Sequence, residues 1–122
     1  MLTIVIDNNK GIYDKTYLVN RTLKEFLKCL KNNLFKHKII IVNYTADSKL
    51  FVNLIRDIKN MCPYIPIICL DKLLFYDNFE LINSETTFYK NDNVSLSELI
   101  NTVEEKLFTR EDKISIFDFI KK

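Results

Sequence analysis

The chain has 122 residues, 48% of them hydrophobic and 28% charged, with a formal net charge of only +2. That suits one domain with a single core, and the interleaving of Lys with Asp and Glu leaves no basic stripe of the kind nucleic-acid binding calls for. One Gly, two Pro and no low-complexity tract exclude a disordered, linker-rich or collagen-like chain.

Leu2 to Asp7 reads as a mostly buried strand ending in an acid. It lacks the basic start and long apolar stretch of a signal peptide, and no apolar run approaches the roughly 20 residues that span a bilayer. These features predict a cytoplasmic protein that does not enter a membrane. Asn8-Asn9-Lys10-Gly11 is a turn signal, in which Gly11, the only glycine, is expected to take a positive φ. Ile12 to Val19, rich in Tyr, Thr, Ile and Val, reads as a second strand. About four to eight residues separate the two strands, whereas a parallel crossover needs a dozen or more, so an N-terminal antiparallel hairpin is expected.

Thr22-Leu23-Lys24-Glu25 has the form of a capping box, followed by Phe26, Leu27, Leu30 and Leu34 at helical spacing. Lys38 to Asn43 then carries four consecutive β-branched residues, Ile39, Ile40, Ile41 and Val42. A run so short and apolar on both faces is how a strand buried between two layers reads. Its polar end, Asn43, lies where open α/β sheets bind ligands, outside the carboxyl ends of their strands.

Asp47 or Ser48 can cap the next helix, whose stripe is Leu50, Phe51, Leu54, Ile55, Ile58 and Met61 and which Pro63 stops. Ile65 to Leu70 is another short apolar run, with Pro66 near its start. The segment 71–84 fits neither period and is assigned a short helix and loop. Thr86 to Tyr89 reads as a short strand, and Ser95-Leu96-Ser97-Glu98 is a second capping box opening a helix through Leu99, Ile100, Val103 and Leu107. Beyond residue 108, the tail 109–122 carries Ile114, Ile116, Phe117, Phe119 and Ile120, either packed or held out as an apolar docking segment. Cys29, Cys62 and Cys69 sit in apolar contexts without metal-ligand spacing and read as buried reduced thiols, and the lone His37 has a surface or capping role.

From Thr22 to Phe108 the chain resembles the receiver domain of bacterial response regulators. The likeness lies in Leu54-Ile55-Arg56-Asp57-Ile58-Lys59 with Pro63-Tyr64-Ile65-Pro66-Ile67-Ile68, and in Phe88-Tyr89-Lys90 leading to Leu96-Ser97-Glu98-Leu99-Ile100. Leu2 to Asn9 is similar to the family's first strand with its acidic end. The resemblance implies one flavodoxin-like α/β domain over residues 1–108, a mostly parallel sheet of about five strands, with the N-terminal hairpin added to it. In that family an acidic pair after the first strand and an aspartate after the third hold Mg²⁺. The last of these takes phosphate, a hydroxyl after the fourth strand senses it, and a lysine pairs with it. Here Asp7 keeps one acid, Asn8 and Asn43 replace the other acid and the phospho-acceptor, Asp71 stands near the sensing hydroxyl, and Lys90 or Asn91 is the lysine position. An amide is neutral and a poor nucleophile, so the resemblance implies a pseudo-receiver with no catalytic residue, metal or cofactor. A carboxylate at Asp71 paired with Lys90 would hold such a site in one state.

The expected partner is therefore another protein rather than nucleic acid or membrane, with a homodimer left open. Phe75, Tyr76 and Tyr89 are the expected exposed anchors. Two other readings compete. The expected hairpin resembles the opening of a STAS domain, the fold of anti-sigma-factor antagonists, in which Asp47-Ser48 would stand at the phosphorylated serine, Ser48. A small metal-dependent enzyme on the same scaffold would bring Asp7, Asp47 and Asp71 together at the strand ends.

Overall fold

In the computed structural model the described residues are 2–32, 38–82 and 85–105, so Leu34, His37, Leu107 and the tail 109–122 lie outside them. The chain divides into two compact units, Met1–Tyr89 and Lys90–Lys122. The elements are β1 (Leu2–Asp7), β2 (Leu18–Asn20), α1 (Leu23–Asn32), β3 (Lys38–Asn43), α2 (Ser48–Met61), β4 (Ile67–Cys69), α3 (Lys72–Asp77), α4 (Phe79–Ile82), β5 (Thr87–Tyr89) and α5 (Leu96–Val103). The strands form one sheet in the order β2-β1-β3-β4-β5 with every neighbouring pair parallel, which is the flavodoxin-like order.

The first unit holds the whole sheet and α1 to α4. Ile4, Ile6, Ile40, Val42, Ile67 and Cys69 pack against Phe26 and Leu30 of α1, Phe51, Leu54, Ile55 and Ile58 of α2, Phe75 of α3 and Ile82 of α4. The alternate strand residues Val5, Ile39, Ile41 and Ile68 are also fully buried, as the two-sided apolar run of β3 requires. Among the described residues no helix is long and apolar enough to cross a membrane.

The hairpin is corrected to a parallel pair. β2 matches Leu18 to Ile4 and Asn20 to Ile6, and it starts at Leu18 rather than Ile12. The ten residues 8–17 suffice as a crossover because β2 is short and docks beside the later residues of β1. The chain has only to return from the level of Asp7 to that of Ile4, about 10 Å at the rise of a strand. Ile12, read as a strand residue, is 99% exposed in this loop.

Capping follows the sequence closely. Thr22 Oγ1 accepts from the Glu25 N–H at 3.2 Å and Asp47 Oδ1 from Leu50 at 2.9 Å, while Asp71, which the sequence did not mark as a cap, accepts through Oδ1 from Leu74 at 2.9 Å. The irregular 71–84 segment contains two short helices broken at Asn78. The buried Asn78 amide donates to the Leu74 carbonyl oxygen at 3.0 Å and to Ser48 Oγ at 3.2 Å, tying the end of α3 to the start of α2. Lys59 Nζ donates to the Ile82 carbonyl oxygen at 2.6 Å and so closes α4 from the side of α2. Leu50, expected in the buried stripe of α2, is exposed. Cys62 and Cys69 are buried and Cys29 is half-buried. Burial pushes the Cys69 thiol up to about 12 against the opposing charge of Lys59, which makes it an inert core group. In the second unit Ser95 Oγ accepts from the Glu98 N–H at 3.2 Å, and Ile100 and Val103 of α5 are buried.

Candidate functional site

β1 is flanked by β2 on one side and β3 on the other, so the switch point of the sheet lies between the carboxyl ends of β1 and β3. Register places Asp7 directly beside Asn43 there. The Asp7 side chain is fully buried and gathers four hydrogen-bond donors and one ion-pair partner. The Asn9 N–H and the Tyr13 hydroxyl donate to it in short contacts, the Gly11 N–H donates at 3.0 Å and Asn43 Nδ2 at 3.2 Å, and Arg21 Nη1 stands 3.5 Å away. A carboxylate offers about four lone-pair sites, so this one is saturated by its own chain.

The loop is shaped to do this. Lys10 adopts φ +59, turning the N–H groups on either side of it towards one anion, the arrangement known as a nest. Gly11 does not take the positive φ expected of it, which falls on Lys10. Its small size answers to space instead, since a Cβ there would lie 2.5 Å from Asp7 Oδ2 and 2.9 Å from the Tyr13 hydroxyl oxygen. Arg21, half exposed, also donates from Nη2 to the Gly11 carbonyl oxygen at 2.9 Å and so spans the loop.

The asparagines sew this loop to the end of β3. Asn43 Nδ2 donates to Tyr13 Oη at 3.2 Å as well as to Asp7, and Asn43 Oδ1 accepts from Asn9 Nδ2 at 3.0 Å. Asn8 grips the backbone of Thr45 on both sides, with Oδ1 accepting from its N–H at 2.8 Å and Nδ2 donating to its oxygen at 2.9 Å. The Thr45 hydroxyl donates to Asn9 Oδ1 at 2.8 Å. Asn8 directly follows β1 and Asn43 ends β3, and here they serve as hydrogen-bonding linkers.

The electrostatics follow from this geometry. Burial alone would raise the Asp7 pKa, but the hydrogen bonds from Tyr13, Asn9 and Gly11 and the charge of Arg21 outweigh it and hold the carboxyl below its ordinary 3.8. Burial, and then the hydrogen bond to Asp7, push the Tyr13 phenol up to about 12. A phenol that keeps its proton longer when folded stabilises the protein fully below its ordinary 10.0, a contribution lost as pH rises through 12. An ultraviolet titration of the folded protein is expected to contain a phenol ionising near 12 that disappears in Tyr13→Phe. Retention of that late step in the variant would detach Tyr13 from the network.

The other expected site residues lie elsewhere. Asp47 and Asp71 each spend a carboxylate oxygen on a helix cap, and Ser48 is the first residue of α2, its hydroxyl accepting from Asn78. Among the described residues no three His, Cys, Asp or Glu side chains are grouped to hold a metal ion. Lys90 belongs to the second unit, where its Nζ reaches the Asn91 carbonyl oxygen at 3.4 Å. Of the three expected anchors, Tyr76 is 56% exposed, Tyr89 is half-buried against the core, and Phe75 is corrected to a buried residue at 6%. Phe75 underlies the surface: its ring stacks on Tyr89 at 5.6 Å and meets Tyr76 and Phe79 edge-on at 5.3 and 5.7 Å.

Asn9, Tyr13, Arg21 and Thr45 were not singled out by sequence. The acid-ended strand followed by Asn8-Asn9-Lys10-Gly11 signals a polar loop at this place, but nothing local marks Tyr13 or Arg21 as partners of Asp7. Comparison with protein-family models, curated proteins and solved structures finds no match for this chain.

Proposed function

We propose that this chain is a phosphorylation-independent protein-interaction module of a cytoplasmic signalling or regulatory pathway, built on a degenerate receiver-like domain. The observation that supports it is the saturation of Asp7 at the switch point by four hydrogen-bond donors, Asn43 among them, with Arg21 as an ion-pair partner. A phosphoryl-accepting site needs an open nucleophilic carboxylate and free oxygens for Mg²⁺. Here the acid is closed over by its own loop, and its neighbour is an amide that points its nitrogen at the acid. Such a site holds one conformation without a phosphoryl group to set it, which suits a scaffold rather than a switch.

The surface offered to a partner is the α3–α4 segment, where Tyr76 stands out over the buried Phe75. The experiment is incubation with acetyl phosphate and Mg²⁺, followed by intact-mass measurement. No phosphoryl gain is expected, and a stable gain that vanishes in Asn43→Ala would overturn the proposal.

A further inference from the structure

The α3–α4 face combines exposed apolar side chains with unneutralised acids. Leu73 is 73% exposed, and Tyr76, Phe79 and Leu81 are exposed beside it. Residues 76–81 line an open cleft of about 540 Å³ that includes the carboxylates of Asp77 and Glu80. Among the described residues neither of these acids lies within ion-pair distance of a cation. From Asp71 to Ile82 there are three acids against one lysine, although the chain as a whole carries +2. The residues that line the cleft include these two carboxylates and no cation, and the nearby Lys59 is engaged at the Ile82 carbonyl oxygen.

The aromatic part is braced. Tyr76 sits edge-on to Phe75 and tilted on Tyr89, each at 5.3 Å, and Phe79 meets Phe75 at 5.7 Å. Rings already held in place lose little freedom on binding, which is what an anchor site needs. A guanidinium can lie on an aromatic face and still pair with a carboxylate, whereas a compact ammonium does this less well. Phosphate-rich surfaces, whether nucleic acid or anionic membrane, are repelled by the same carboxylates.

We infer that the α3–α4 cleft takes a cationic apolar segment of another protein, with arginine as its basic residue and an aliphatic side chain seated among Tyr76, Phe79 and Leu81. The inference rests on the interaction-module reading and adds the chemistry of the partner.

The test uses the full chain and three synthetic peptides of equal length, one of Leu and Arg, one of Leu and Glu, and one of Ser and Arg, followed by backbone amide NMR. The Leu/Arg peptide is expected to shift amides within 72–82 while the other two leave them in place. Tyr76→Ala, and separately the pair Asp77→Lys and Glu80→Lys, are each expected to weaken that binding by about tenfold or more. These positions are exposed, so the substitutions are expected to keep the fold, which dispersed spectra of the variants check. Equal shifts from the Leu/Glu peptide overturn the charge requirement, and equal shifts from the Ser/Arg peptide overturn the apolar one. A Leu/Arg peptide that leaves amides 72–82 unmoved overturns the site. Failure of the underlying reading is seen separately, as phosphoryl gain in the mass experiment.

Discussion

Replacing Asp7 by alanine is expected to destabilise the fold by about 3–5 kcal/mol, read as a lowered midpoint in urea or thermal unfolding. The carboxylate lost is fully buried and is the common acceptor of the Asn9 and Gly11 N–H groups, the Tyr13 hydroxyl and the Asn43 amide. Removing a shared acceptor leaves several donors without a partner at once, and that desolvation cost exceeds the worth of any one bond. Arg21 adds little to the sum, because it is half exposed and returns to water. Asp7→Asn keeps the shape but loses the charge and one acceptor oxygen, so its effect is expected to be smaller. A destabilisation below about 1 kcal/mol for the alanine variant would remove Asp7 from the centre of this site.

The same residue sets the acid limb of stability. Its folded pKa lies below the ordinary 3.8, so the unfolded chain takes up the proton first as pH falls. Its contribution is therefore complete above about pH 4 and is lost as pH drops through the folded value. Asp14, also depressed by its hydrogen bonds to Thr16, lies on an exposed turn and remains in the variants. The fall in midpoint between pH 5 and 3 should be shallower in Asp7→Asn than in the parent.

Asn43→Asp is the second large effect, with an expected destabilisation of about 2–4 kcal/mol at neutral pH. The change is isosteric, so packing is untouched, but it replaces an N–H donor 3.2 Å from Asp7 Oδ2 with a second carboxylate oxygen. It also removes the donor to Tyr13 Oη. Two carboxylates at this separation do not both ionise readily, and the pair takes up a proton at a raised apparent pKa. The destabilisation should accordingly shrink between pH 7 and 5, a dependence measurable from urea midpoints at the two values. Equal stability of variant and parent at pH 7 would contradict the network drawn around Asn43. Restoring the acid that the receiver resemblance calls for is thus expected to injure this fold, because the surrounding donors are arranged for an amide.

Much of the scaffold could be read residue by residue. Lys38 to Asn43 is a strand at those bounds because four β-branched residues in a row leave no polar face for a helix and bury both sides of a sheet. Leu2 to Asp7 follows for the same reason, and Thr22, Asp47 and Ser95 cap helices through side-chain oxygens whose reach is local. The 71–84 segment resisted because its apolar residues serve two ends. Phe75 and Ile82 turn inward, while Leu73, Tyr76, Phe79 and Leu81 face outward, so no single period survives.

The site was legible only as a place. The sequence by itself determined the buried strands, the helix caps and that Asp7 and Asn43 each end a strand, because β-branched runs and caps act over a few residues, whereas the pairing of β1 with β3 brings those two ends together. Tertiary structure alone decided the direction of β2, which depends on how far along β1 the strand docks and not on its own composition. It also decided that Tyr13, with a strand-forming side chain, leaves the sheet to bond Asp7, and that Arg21 and Gly11 close over it. A buried carboxylate recruits donors by distance in space, and the partners it found here come from a loop, a helix entrance and a neighbouring strand, between 2 and 36 residues away along the chain.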